Sequence, residues 1–366
     1  PSHPIPFGSS VAMNILNAVY GDSTGGRWSA TLKSARLLAD KGHFVTLLID
    51  PVDLPNVPAD FVGPRIDVVT LRNSGHYDLI ASWKASRLMR ARSIDAVIAH
   101  SGRAIHMLKR AAPRTVPVIA FNHSHNIKRT LKADAFFCIT PYMKQIVDGA
   151  TGGAKPSFVI SNAVSIPPEE ALSEPAGGGF SIGAMGRMVP NKGFRHLLDA
   201  LARLAAEGVT FSARLAGDGE DRAALQRQAR ELGIADRVEF PGWLDPAGKQ
   251  AFFNSLDVVC FTSEWETQGI VILESFAWRK ALIGTDIDGP SSCYVDGETA
   301  LVVPPADPGA LAAALRRLHD DPALRRRLAA NGRREAILRY SNEAISELLD
   351  RSVCRLVAEA CKGRAG

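Results

Sequence analysis

Short apolar runs alternate with amphipathic stretches along this chain. In the first half, NILNAVY (14–20), HFVTLLID (43–50), IDVVTL (66–71), IDAVIAH (94–100), VPVIAF (116–121), ADAFFCI (133–139) and SFVI (157–160) each suit a buried strand. Between them, Trp28, Leu32, Ala35, Leu38 and Ala39 fall at helical spacing, and further helical segments are read near 77–92, 102–112 and 141–149. Residues 165–179, SIPPEEALSEPAGGG, break the rhythm with prolines and glycines. It then restarts with FSIGAMG (180–186), VTFSARLAG (209–217), VEFPG (238–242), LDVVCFT (256–262), ALIGT (281–285) and ALVVPP (300–305) as strands. NKGFRHLLDALARLAAEG (191–208) and EDRAALQRQARELG (220–233) are read as helices between the first of these runs, and DPGALAAALRRLHD, PALRRRLAANGRREAIL and SNEAISELLDRSVCRLVAEACK close the chain as helices. Strands alternating with helices predict parallel sheets covered on both faces. The expected fold class is α/β, with two doubly wound Rossmann-like domains facing each other across a cleft. The first domain is read as 13–165, a linker as 166–179, the second domain as 180–342 and a terminal helix as 343–366. Ligands of such sheets bind beyond the carboxyl ends of the strands.

Composition adds bounds to this pattern. A chain of 366 residues exceeds one ordinary core. Its 46% hydrophobic and 22% charged content is that of a soluble globular protein. No apolar run is long enough to span a bilayer, and no signal-peptide pattern is present, so a cytoplasmic protein is expected, at most peripheral on the inner face of the membrane. Residues 1–12 read as a vector-derived leader, with Met13 as the natural start. The five cysteines are scattered and lack ligand spacing, as buried free thiols would be. Residues 13–165 hold 19 basic against 10 acidic side chains, whereas the remainder holds 24 against 28. The two halves are therefore expected to meet different partners.

The chemistry concentrates after two strands of the second half. In SEWETQGIVILESFA (263–277), Glu266 and Glu274 flank Gly269, where a helix is expected to begin at a strand's carboxyl end. The backbone N–H groups of such a helix start suit a phosphate, and glycine lets a ligand approach the backbone closely. Ribose at one glutamate, pyrophosphate over the helix end and hexose at the other would fit a nucleotide sugar. Two unrelated surface acids are the alternative. GAMGRMVPNKG (183–193) places Arg187 and Lys192 in the loop after another strand, where two cations would neutralise the same pyrophosphate or simply form a solvated basic loop. GDSTGGR (21–27) carries Gly25 and Gly26 after the first strand, either for phosphate or sugar approach or for plain turn chemistry. His123 follows a strand, with His100 as a lesser candidate; each is a cleft hydrogen-bonding group or a structural histidine. No metal site is expected from His123 and His125, nor from Asp286 and Asp288.

Together, Glu266-x7-Glu274, GRMVPNKG, LAGDGEDRAAL and the run FPGWLDPAGKQAFFNSLDVVCFTSEWETQG resemble the family-4 retaining glycosyltransferases of GT-B fold. The glycine pair, His123 and VISNAV are similar too, and the resemblance spans about residues 13–340. It implies that Glu274 holds the donor ribose and that Gly269, Ile270 and Val271 receive the diphosphate on their backbone. Arg187 and Lys192 would stabilise the leaving nucleotide, and Glu266 would contact the hexose. His123 would lie near the reacting centre, Gly25 and Gly26 would approach the donor from the first domain, and the last helix would cross back to that domain. The chain departs from the family at DIDGPSSCYVDG, where Asp288 and Ser292 stand in place of an expected glycine and acid.

Hexosyl transfer from a UDP- or GDP-sugar to a hydroxyl of a glycan or lipid-linked acceptor, without metal or other cofactor, is the activity this implies. Cell-envelope polysaccharide or lipopolysaccharide synthesis is the expected setting. Lys84, Arg87, Arg90, Arg103 and Lys109 belong to a basic stretch that would meet an anionic membrane surface or a phosphorylated acceptor, or else form a solvated face. Nucleic acid is not expected, because no aromatic stacking motif or reader helix is present. A nucleotide-sugar epimerase or a two-lobed sugar-binding protein would share the outline. Nucleotide release that depends on an acceptor separates transfer from both.

Overall fold

The computed structural model describes residues 12–21, 23, 25–175 and 179–362. Most of the expected leader, part of the loop before Gly25, residues 176–178 and the last four residues lie outside these. The chain divides into two compact units, one of residues 1–163 with 342–366 and one of residues 164–341.

In the first unit the strands are β1 (Asn14–Ala18), β2 (Phe44–Ile49), β3 (Ile66–Thr70), β4 (Ala96–Ala99), β5 (Val118–Asn122), β6 (Ala135–Cys138) and β7 (Ser157–Val159). The helices among them are α1 (Gly26–Asp40), α2 (Leu79–Ala91), α3 (Gly102–Ala111) and α4 (Pro141–Thr151). All pairings are parallel, in the order β3-β2-β1-β4-β5-β6-β7. Central strands such as β4 and β5 are buried along their whole length, which is why they read as unbroken apolar runs. Helix starts follow local signals: Asp78, Ser101 and Thr140 accept backbone N–H bonds from Ala81, Ala104 and Met143.

The second unit repeats the plan. Its elements are β8 (Phe180–Met185), α5 (Phe194–Ala206), β9 (Phe211–Ala216), α6 (Arg222–Glu231), β10 (Val238–Gly242), α7 (Pro246–Asn254), β11 (Val258–Phe261), α8 (Ile270–Ala277), β12 (Ala281–Thr285), β13 (Leu301–Val303), α9 (Pro308–Asp320) and α10 (Pro322–Glu335). The parallel order is β10-β9-β8-β11-β12-β13. In each sheet the strand order reverses beside the first strand, between β1 and β4 and between β8 and β11, which marks the crevice where ligands of such sheets bind.

Two expectations need correction. Helix α7 was not read from the pattern, although Asp245 caps it through Gly248 N (2.7 Å) and Pro246 opens it. The proline-rich stretch is not a free tether up to residue 175. Arg333, 7% exposed, donates to Pro167 O (2.8 Å) and to Glu169 (2.9 Å). Asn254 bonds both Ala171 O (2.9 Å) and Ser173 N (3.1 Å). This segment is fastened to the second unit.

After a π-helical turn at Ala336–Tyr340, α11 (Asn342–Lys362) joins the first unit and packs on α1. Ile345, Leu349, Val353 and Leu356 enter that unit's core, each worth about 1.5–3 kcal/mol of burial. His43, fully buried, anchors the helix. Its Nδ1 accepts from Met13 N (3.1 Å), so Nε2 carries the proton and donates to Asp350 (2.7 Å). Cys354 donates to the same carboxylate at 3.4 Å. The ligand atoms of His43, Asp350 and Cys354 lie within 4.8 Å of one another, and the hydrogen bonds among them latch α11 to the strand edge at His43. Burial raises the Cys138 thiol to about 12 and pushes those of Cys260 and Cys293 up as well, so none is a reactive thiolate.

Candidate functional site

The loops after β8 and β11 of the second unit and the start of α8 carry seven of the residues singled out in the sequence: Arg187, Lys192, Glu266, Gly269, Ile270, Val271 and Glu274. Lys192 ends the short 3-10 turn Pro190–Lys192 after β8, and Glu266 lies in the loop after β11. Their side chains form an ion pair, each about one-fifth exposed. The backbone holds them there. Thr262 Oγ1 donates to Lys192 O (2.8 Å), Glu264 N to Asn191 O (2.8 Å) and Asn191 Nδ2 to Trp265 O (3.0 Å). Gly193, at φ +67°, lets the loops touch, since a Cβ there would lie 2.1 Å from Thr262 O. Glu266 also accepts from Thr267 N (2.9 Å). Arg187 is exposed and its guanidinium pairs with no carboxylate among the described residues.

Helix α8 begins beside this pair. Gly269 precedes it at φ +84°, and no side chain caps the helix, so the leading amides at Ile270 and Val271 have no intrahelical acceptor. Ile270 stays 36% exposed while Ile272, Leu273 and Phe276 are fully buried, which fixes the helix end at the sheet edge. Glu274, a turn further on, accepts from Lys249 of α7 at 2.7 Å. Lys249 was missed in the sequence because α7 was missed; the Asp245–Pro246 start signal would have found it.

In the first unit, His100 and His123 follow β4 and β5 and are hydrogen-bonded to each other, Nδ1 to Nε2, at 2.8 Å. Asn17 on β1 sets the direction of this chain. Its Nδ2 donates to Thr31 O (2.9 Å) and Ser34 Oγ (3.1 Å), so its Oδ1 must accept, and His100 Nε2 donates to it at 2.7 Å. His100 Nδ1 is then the acceptor, and His123 Nε2 the donor. The Nδ1 lone pair of His123 is left for another partner. Burial, then the charges of His123 and Arg27, push His100 well below its usual range, and burial, then Arg27, push His123 down to about 3. Both rings are neutral. Protonation favours the unfolded chain, so the stability they contribute is present above about pH 6.5 and lost as pH falls towards 3. Asn17→Ala is expected to release this fixed tautomer. Ring-nitrogen NMR should show His100 and His123 as Nε2–H forms in the wild type and as mixtures in the variant; a wild-type pattern in the variant would show that Asn17 does not set it.

Arg27, at the start of α1, is a second residue the sequence reading passed over. Gly25 caps α1 at φ −95°, so its conformation does not require glycine, and at Gly26 a Cβ would meet nothing within 4 Å. The five basic residues do not share one free face. Lys84, Arg87 and Arg90 are exposed on α2. On α3, Lys109 pairs with Asp134, and Arg103 reaches Asn73 O at 3.5 Å. Asp286 accepts from Ser291 Oγ (3.0 Å) within its own loop.

Residues 24–166 match the family described as Glycosyltransferase Family 4, and residues 172–335 the one described as Glycosyl transferases group 1. The lipopolysaccharide core biosynthesis glycosyltransferase LpsD of Rhizobium meliloti is 32% identical over 285 residues, 75% of this chain and 81% of LpsD. LpsE of the same organism, also a lipopolysaccharide core biosynthesis glycosyltransferase, is 39% identical over 164 residues, 45% of this chain and 46% of LpsE. Among solved structures, Anabaena Alr3699/HepE in complex with UDP-glucose superposes with a TM-score of 0.76 at 20% identity, covering 94% of this chain and all of that one.

Proposed function

The chain belongs to the family-4 glycosyltransferases, with the GT-B fold of two Rossmann-like domains, and from that premise we propose that it transfers a hexosyl group from a UDP- or GDP-sugar to a hydroxyl of a glycan or glycolipid. Anomeric configuration is retained in this reading, and the setting is lipopolysaccharide or other envelope polysaccharide synthesis. The lipopolysaccharide relatives support the setting, and the UDP-glucose bound to the structural neighbour supports the donor class.

One observation carries the proposal: Lys192 and Glu266 meet beside the uncapped start of α8, at the point where strand order reverses. A diphosphate there accepts from the α8 amides and draws Lys192 by a larger charge than Glu266 carries. Glu266 is then free to accept from hexose hydroxyls, and Arg187 adds a second cation. Charge that grows on the leaving nucleotide is stabilised by groups already in position. The protein supplies the positive charge itself, which is why we read the reaction as metal-independent. Glu274, oriented by Lys249, takes the ribose. His123, with Nδ1 as acceptor, serves the sugar near the reacting carbon. The test is calorimetry: UDP or GDP is expected to bind the wild type and to bind Glu274→Ala at least tenfold more weakly. Equal affinity contradicts the ribose role, and absence of binding by either nucleotide contradicts the transferase reading.

A second reading concerns α2. No described helix is long and apolar enough to cross a membrane. Yet Leu79, Ile80 and Trp83 are 69%, 70% and 56% exposed, Tyr77 just before them is 80% exposed, and Arg87 stacks over Trp83 at 5.1 Å. Lys84, Arg87 and Arg90 share this outward face while Ala81, Ala85 and Met89 turn inward. An apolar, aromatic start followed by cations suits an anionic bilayer surface. Vesicles containing phosphatidylglycerol should bind the wild type at moderate salt and fail to bind Trp83→Ala; equal binding by both would remove α2 from membrane contact.

A further inference from the structure

The first unit contains a cavity of about 740 Å³ beyond the carboxyl ends of β1, β2 and β3, with room for one or two sugar rings. Gly21 lines it from the loop after β1, Asp50 and Asp53 from the turn after β2, Arg72 and Asn73 from the segment after β3, and Arg103 from α3. Two acids and two guanidinium groups share it, yet they do not pair. Asp50 is engaged by backbone: it accepts from Val52 N (3.3 Å) and Asn73 N (3.4 Å), which ties the turn after β2 to the segment after β3. Nearby Asp78 is engaged likewise by Ala81 N (2.8 Å) and by Ser74 through both N (3.0 Å) and Oγ (2.8 Å).

The remaining polar groups are unspent. Arg72 is exposed and has no carboxylate partner among the described residues, and among those residues the Arg103 guanidinium makes only the long hydrogen bond to Asn73 O, at 3.5 Å. Asn73 is 2% exposed. Its Oδ1 accepts from Gly75 N (3.0 Å), which fixes the amide's orientation and leaves Nδ2 buried with no acceptor. Asp53, 5% exposed, has no partner for its carboxylate among the described residues. The positive field extends past the cavity, since His76 is depressed by burial and then by Arg129, Arg103 and Arg110.

Three donor groups without a full partner, beside one free carboxylate, describe a ligand that is anionic at one end and carries hydroxyls at the other. We propose that this cavity binds the acceptor sugar and that this sugar is anionic. Its carboxylate or phosphate bridges Arg72 and Arg103 and accepts from Asn73 Nδ2, and Asp53 accepts from a ring hydroxyl. Guanidinium groups suit either anion, because their paired N–H donors match two oxygens of a carboxylate or phosphate. The assignment rests on the transferase reading, which makes a sugar acceptor necessary.

The test titrates the full chain with methyl glucoside, glucuronic acid and glucose 6-phosphate, followed by saturation-transfer NMR and calorimetry. At least one anion is expected to bind ten times more tightly than the neutral glucoside, and which of the two does so identifies the carboxylate or the phosphate as the natural group. Arg72→Gln with Arg103→Gln should bring the anions down to the neutral level, with an unchanged melting temperature. Asp53→Asn should weaken all three sugars alike. Equal affinity for the three sugars, or an anion preference that survives the double arginine variant, overturns the proposal. UDP and GDP are titrated in the same samples. Nucleotide binding without an anion preference overturns the anionic acceptor alone, whereas loss of nucleotide binding in the wild type overturns the transferase reading beneath it.

Discussion

Lys192→Ala is expected to lower kcat/KM by about a hundredfold, the usual effect of removing one positioned donor from developing negative charge. The residue sits on a loop fixed at three points, so its ammonium does not have to be ordered during the reaction. Alanine removes that charge and also leaves Glu266 without its partner. The two effects separate in a double-mutant cycle. If Lys192 acts only by holding Glu266, Lys192→Ala and the double variant with Glu266→Ala will be equally impaired as Glu266→Ala alone. If Lys192 acts on the leaving diphosphate, it will be the more damaging single change, and Lys192→Arg will recover part of the rate. Turnover near the wild-type value would exclude Lys192 from the mechanism.

Gly193→Ala is expected to destabilise the protein by about 3 kcal/mol, from the left-handed backbone and the overpacking of a methyl group. The collision is with backbone, since the nearest atom, Thr262 O, would be 2.1 Å away and is not a side chain that can rotate aside. Relief requires the loop after β8 to part from the loop after β11, which carries Lys192 away from Glu266. Activity should therefore fall further than stability alone accounts for. Thermal melts and kinetics on the same preparation measure both. A melting temperature and rate like the wild type would mean that the loops are not held by this contact. Gly26→Ala is the control for the melting temperature alone, because a Cβ there meets nothing within 4 Å.

Much of this architecture is legible in the residues because parallel strands buried on both faces leave a simple mark. Runs such as VVCF and AVIA are apolar throughout and end at turn residues, so all thirteen strands stand out. The site is legible where charge interrupts the pattern at a strand's end, as at Arg187, Lys192, Glu266 and His123. What is hidden depends on partners distant in sequence. The pairing of Lys192 with Glu266 joins residues 74 positions apart, and nothing local reports it. Lys249 lies on a nine-residue helix, too short for periodicity to identify, and its role follows from a contact with Glu274. The same limit applies to Asn17, an inconspicuous amide inside an apolar strand whose effect on two histidines requires three strands in register. The proline-rich segment misleads in the opposite sense: its composition is that of a tether, and a single buried arginine 166 positions beyond Pro167 docks it.

The return of α11 to the first unit has a consequence for biosynthesis. The lobe made first on the ribosome lacks four of its core side chains until residues 345–356 emerge, whereas the lobe made second is continuous in sequence and already whole by residue 341. The usual order of domain completion during translation is thereby inverted.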